Sequence, residues 1–69
     1  MEIVECHSGF AYADRPVALT WQGERQVIAE ILSQGRTPQA RWFRVRTVDG
    51  RSFRLTYSED RDEWQIDPF

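Results

Sequence analysis

Sixty-nine residues make one domain, and a domain of that size buries only about 60% of the surface its unfolded chain exposes, which leaves little room for a deep catalytic cavity. The core must come from three tryptophans, two tyrosines and four phenylalanines, each ring bringing on the order of 150 to 250 Å² of contact surface. The net charge of −2 argues against a bulk polyanion binder, and no apolar run approaches the roughly 20 residues of a membrane span. A single cysteine, Cys6, with no charged-then-apolar leader before it, predicts a protein of the reducing cytoplasm.

Met1 to Cys6 alternates weakly and reads as a short strand, with Ile3 on one face and Val4 and Cys6 nearer the other. His7 to Pro16 carries Ser8, Gly9, Asp14 and Pro16, the residue types that turn chains, and predicts a loop fastened to the core by Phe10 and Tyr12. Val17 to Trp21 sets Val17, Leu19 and Trp21 on one side and Ala18 and Thr20 on the other, the period of a half-buried strand. Gln22 and Gly23 supply a turn. The return, Glu24 to Leu32, also fits a helix, because Val27, Ile28, Ile31 and Leu32 have helical spacing ahead of Gly35. The tight Trp21-Gln22-Gly23-Glu24 connection and the β-branched pair Val27 and Ile28 favour a strand. Ser33 to Ala40, with Gly35 and Pro38, reads as a loop.

The clearest element is a hairpin from Arg41 to Tyr57. Phe43 and Val45 are the inward candidates on one arm, and Phe53, Leu55 and Tyr57 on the other. A two-residue Asp49-Gly50 turn would set Val45 opposite Arg54 and mix the faces. A three-residue loop of Val48, Asp49 and Gly50 pairs Val45 with Phe53 and Phe43 with Leu55, with glycine where positive φ is needed. On the opposite face Trp42 then lies across from Thr56, Arg44 from Arg54 and Arg46 from Ser52, a cluster of arginines beside a tryptophan. Ser58 to Asp62 is an acidic turn, and Glu63 to Asp67 a last strand with Trp64 and Ile66 on one side, ended by Pro68.

Five or six short strands with turns at this density predict an all-β fold, a strongly curved antiparallel meander closing into a small SH3-like barrel. Its expected core is Val17, Leu19, Val27, Phe43, Val45, Phe53, Leu55 and Trp64. Curling the sheet limits the edges that invite dimerisation, although an unpaired edge would permit a homodimer.

No phosphate-binding glycine loop, nucleophile elbow or metalloprotease motif occurs in the chain. Cys6 adjoins His7, but neighbours on a strand point to opposite faces, so the two could meet over one substrate only if the chain turns there. They also lack the further Cys or His that a zinc site needs. Glu59, Asp60, Asp62 and Glu63 have neither the spacing nor the central glycine of a calcium loop, and read as a solvated turn, close enough to the arginine face to neutralise part of it. No catalytic residue, metal or cofactor is therefore expected.

Charge is segregated. Residues 1–30 carry five acids against two arginines, 31–58 six arginines against Asp49, and 59–69 five acids against Arg61, and every basic residue is arginine. Trp42, Arg44, Arg46 and Arg54 are the candidate binding residues. Such a face can track phosphates while a ring stacks on a base of a single strand. It can equally anchor a protein partner, or be the wet side of a two-faced sheet.

The run Trp21-Gln22-Gly23-Glu24-Arg25, then Val27 and Ile31, Trp42-Phe43-Arg44-Val45, Asp49-Gly50, Phe53, Leu55 and Trp64 resembles a bacterial domain family of unknown function. That family occurs as short stand-alone proteins and as a tail segment on some Y-family-polymerase-like proteins of mutagenic DNA repair. The resemblance spans Pro16 to Ile66, and Glu5-Cys6-His7-Ser8-Gly9 resembles the start of the stand-alone members. It implies no activity and no catalytic residue, and it favours an association with DNA.

Overall fold

Apolar side chains at every second position can all be buried on one side of a strand, and hairpin turns can keep those sides together. In the computed structural model, which describes residues 3–6 and 15–69, this produces β1 (Val4–Cys6), β2 (Pro16–Trp21), β3 (Glu24–Arg36), β4 (Ala40–Thr47), β5 (Ser52–Ser58) and β6 (Glu63–Pro68). Each strand pairs antiparallel with the next, in the order β1-β2-β3-β4-β5-β6. The all-β curved meander expected from the sequence is what forms. Among the described residues its first and last strands do not pair with each other, so the curl stops at a half-barrel. The expected loop plugs Phe10 and Tyr12, and His7, lie outside the described residues.

The turns act as the sequence predicts. Gln22 and Gly23 both have positive φ, 51° and 83°, the requirement of a two-residue hairpin turn whose twist matches its strands. Trp21 accordingly pairs with Glu24, and the segment after it is a strand rather than a helix. In the second hairpin Thr47 N donates to Arg51 O at 2.8 Å and Gly50 N to Thr47 O at 3.0 Å, closing a loop of Val48, Asp49 and Gly50 with Gly50 at φ 89°. The resulting register is Phe43↔Leu55 and Val45↔Phe53 inside, and Trp42↔Thr56, Arg44↔Arg54 and Arg46↔Ser52 outside.

The core consists of Leu19, Phe43, Val45, Phe53, Leu55 and Ile66, with Val4, Trp21, Ile28, Ile31 and Trp64 packed against it. Trp21 meets Phe53 at 5.7 Å between ring centroids, and Trp64 meets Phe43 and Tyr57 at 6.1 and 5.1 Å. These tilted ring contacts join β2 and β6 to the central hairpin across the concave side.

Two expected core residues lie elsewhere. Val27 is 42% exposed, because Leu19 pairs with Gln26 and thereby turns Gln26 inward and Val27 to the outer face, opposite Ala18. Val17 is 36% exposed: β2–β3 pairing stops at Ala18, the register of β3 on β4 shifts between Ile28 and Glu30, and Val17 is left lining a cleft with Ile28 and Ile31. The expected loop Ser33 to Ala40 is also shorter than its turn residues suggest. β3 continues through Gly35 to Arg36 and β4 starts at Ala40, leaving a connection at Thr37 to Gln39 in which Ala40 N donates to Thr37 Oγ1 at 3.0 Å. Pro68 extends the last strand, opposite Phe53, as proline can on an edge. No helix among the described residues is long and apolar enough to cross a membrane.

Candidate functional site

Positions 42, 44 and 46 of β4 and 52, 54 and 56 of β5 share the outer face, because their alternates fill the core. β3 borders this face with Glu30 opposite Arg46, Ser33 opposite Arg44 and Gly35 opposite Trp42. β6 borders it on the other side, with Asp67 opposite Arg54 and Gln65 opposite Thr56. All four residues singled out in the sequence therefore lie on one surface.

Their environments differ. Arg46 Nη1 donates to Glu30 Oε1 at 2.7 Å, so its charge is already paired. Trp42 is half-buried and its indole lies across Gly35: a Cβ built on that glycine would come within 2.5 Å of the ring carbons Cε2 and Cζ2. The glycine is thus a seat for the indole, which explains why a turn-type residue occurs inside a strand. On the other flank the Arg54 guanidinium stands 5.6 Å from the Trp42 ring centroid, and Arg44 reaches across β5 to lie 4.6 Å from the centroid of Phe69. Phe69 N donates to Ser52 O at 3.1 Å, which holds this ring alongside the end of β5.

Arg44 and Arg54 are direct cross-strand neighbours of like charge, an arrangement that opposes sheet formation. Their contacts to the two rings offset part of that repulsion. Neither makes an ion pair with a carboxylate among the described residues. Together with Trp42, Asp67, Pro68 and Phe69 they line an open groove of ≈ 490 Å³. Arg46 shares the face but does not line the groove.

The acidic turn does not neutralise these groups. Glu59 meets Arg36 at 3.8 Å and Glu63 meets Arg61 at 3.6 Å, while Tyr57 donates its hydroxyl to Asp62, which holds the phenol above its usual pKa. Gly35, Asp67, Pro68 and Phe69 are the site residues that the sequence reading missed. Asp67 could have been found, since Trp64 and Ile66 inward imply Gln65 and Asp67 outward on β6. The contacts of Gly35 and Phe69 had no sequence signal, because they depend on which strands become neighbours.

Cys6 is half-buried on β1, and among the described residues no three His, Cys, Asp or Glu side chains converge as they would around a metal ion. Compared with known proteins, the chain matches no family model, no curated protein and no solved structure.

Proposed function

We propose that this protein is a non-catalytic interaction module of the cytoplasm that contacts single-stranded nucleic acid through the groove at Trp42, Arg44 and Arg54. One observation carries the reading: two guanidinium groups without carboxylate partners among the described residues sit side by side on a sheet surface, each against an aromatic ring, and both line one groove. Arginine forks suit phosphate oxygens, and adjacent ring surfaces suit unstacked bases. The resemblance of Pro16 to Ile66 to a domain found on polymerase-like repair proteins supports the same direction. Arg46, held by Glu30, contributes little to phosphate contact.

Two phosphate contacts give a modest salt slope for a single strand, roughly −1.4 in log K against log salt. Binding of labelled single-stranded DNA or RNA should then weaken about sevenfold between 50 and 200 mM salt. Arg44→Glu with Arg54→Glu should abolish it, whereas Arg46→Glu should cost much less. Absence of binding at low salt, or indifference to the double substitution, removes the proposal.

A second reading is favoured by the outer edge of β6, which among the described residues pairs with no further strand and offers backbone groups to another chain, including a second copy. It would appear as a dimer in light scattering whose stability is insensitive to salt and to Arg44 and Arg54. Trp42 is a poor anchor for such a partner, because its indole is already seated on Gly35.

A further inference from the structure

The groove contains one group that phosphate binding does not explain. Asp67 places a carboxylate beside two guanidinium groups, where it repels a passing phosphate, yet it makes no ion pair with Arg54 opposite it and no hydrogen bond to any described residue. An ionised carboxylate is an acceptor only, with two oxygens side by side. A ligand group that satisfies it must present two adjacent N–H donors.

Unstacked bases offer their Watson–Crick edges to a protein, and the four edges differ in this respect. Guanine presents N1–H and N2–H₂ next to each other. Adenine and cytosine each present one amino group beside a ring-nitrogen acceptor, and thymine or uracil presents one N–H flanked by two carbonyl oxygens. Only guanine can engage both carboxylate oxygens without setting an acceptor against them. Phe69, 55% exposed with Arg44 at its ring, supplies a stacking surface in the same groove, and Arg54 stands opposite Asp67 in the ladder, placed to meet a phosphate.

We infer that the groove reads guanine in a single strand, with the Asp67 carboxylate accepting N1–H and N2–H while Arg44 and Arg54 hold the adjoining phosphates. The inference rests on the single-strand reading above and adds base selectivity to it.

The test is a set of short labelled oligonucleotides at low salt: thymine only, and the same strand with spaced guanine, cytosine, adenine, inosine or 7-deazaguanine. The guanine strand should bind about tenfold more tightly than the thymine strand, as one bidentate contact provides. Inosine, which lacks the 2-amino group, should lose most of that preference, and 7-deazaguanine should keep it, since only the Hoogsteen edge is altered. Asp67→Asn should erase the preference and at the same time tighten binding of the thymine strand, because it removes a carboxylate that repels phosphate beside Arg44 and Arg54. Equal binding of guanine and thymine strands overturns the inference while leaving the phosphate reading intact. So does a preference that survives Asp67→Asn, or one lost with 7-deazaguanine, which would assign recognition to the arginines at O6 and N7. If no strand binds at all, both readings fall together.

Discussion

At Gly35 a missing Cβ decides where an indole can lie. The Trp42 ring occupies the space that a side chain at this position would fill, and Arg54 approaches the same ring from β5. Gly35→Ala should therefore lift the indole from the sheet, shift tryptophan fluorescence and near-UV circular dichroism, and cost about 1 to 3 kcal/mol as other overpacking substitutions do. The same alanine should cost much less in a Trp42→Ala background, so a double-mutant cycle should show a clear coupling energy. Additive losses would mean that the glycine serves its backbone rather than the ring. The sequence reading placed Gly35 in a loop for a sound local reason, since glycine in a strand interior is unfavourable. It misled because the compensation comes from a residue on the next strand.

Among the elements, the hairpin of β4 and β5 shows how much a short loop controls. Gly50 has φ 89°, so Gly50→Ala should destabilise by about 1 to 3 kcal/mol, the usual cost of holding a side chain in a sparsely populated backbone region. Deleting Val48 is the complementary test, because it leaves Asp49-Gly50 as a two-residue turn between Thr47 and Arg51 and so keeps the pairing of the two arms. Val45 would still oppose Phe53, and a cooperative thermal transition should survive, whereas its loss would show that the hairpin needs the third loop residue. This register was legible because two constraints agreed, the position of glycine and the need to group apolar residues. In β3 no such agreement existed: its pairing on β4 shifts between Ile28 and Glu30 and again between Ile31 and Ser33, and bulges of this kind break the strict alternation from which inward residues are read.

For the whole molecule, acid stability depends on carboxylates that the fold holds ionised. Glu5 accepts two hydrogen bonds from Arg25, at 2.9 and 3.0 Å, tying β1 to β3 across β2, and this lowers its pKa. Thr47 donates to Asp49 in the hairpin loop and lowers the Asp49 pKa in the same way. A carboxylate with a depressed folded pKa contributes stability above its unfolded value and loses it as pH falls through the folded one. The melting temperature should therefore drop as pH is lowered below about 4, and Glu5→Gln with Asp49→Asn should flatten that dependence. A parallel drop in the doubly substituted protein would refute this assignment. The amino-acid sequence by itself determined the all-β class, both hairpin turns, the register of the second hairpin and the shared face of Trp42, Arg44, Arg46 and Arg54, because each follows from a period of two and a turn within a few residues. Only the tertiary structure decided that Val17 and Val27 lie outside the core, that Glu30 occupies Arg46, and that Arg44, Arg54, Asp67 and Phe69 line one groove. Those outcomes arise where the sheet bends and where long side chains cross neighbouring strands, and they depend on distances between segments far apart in the chain.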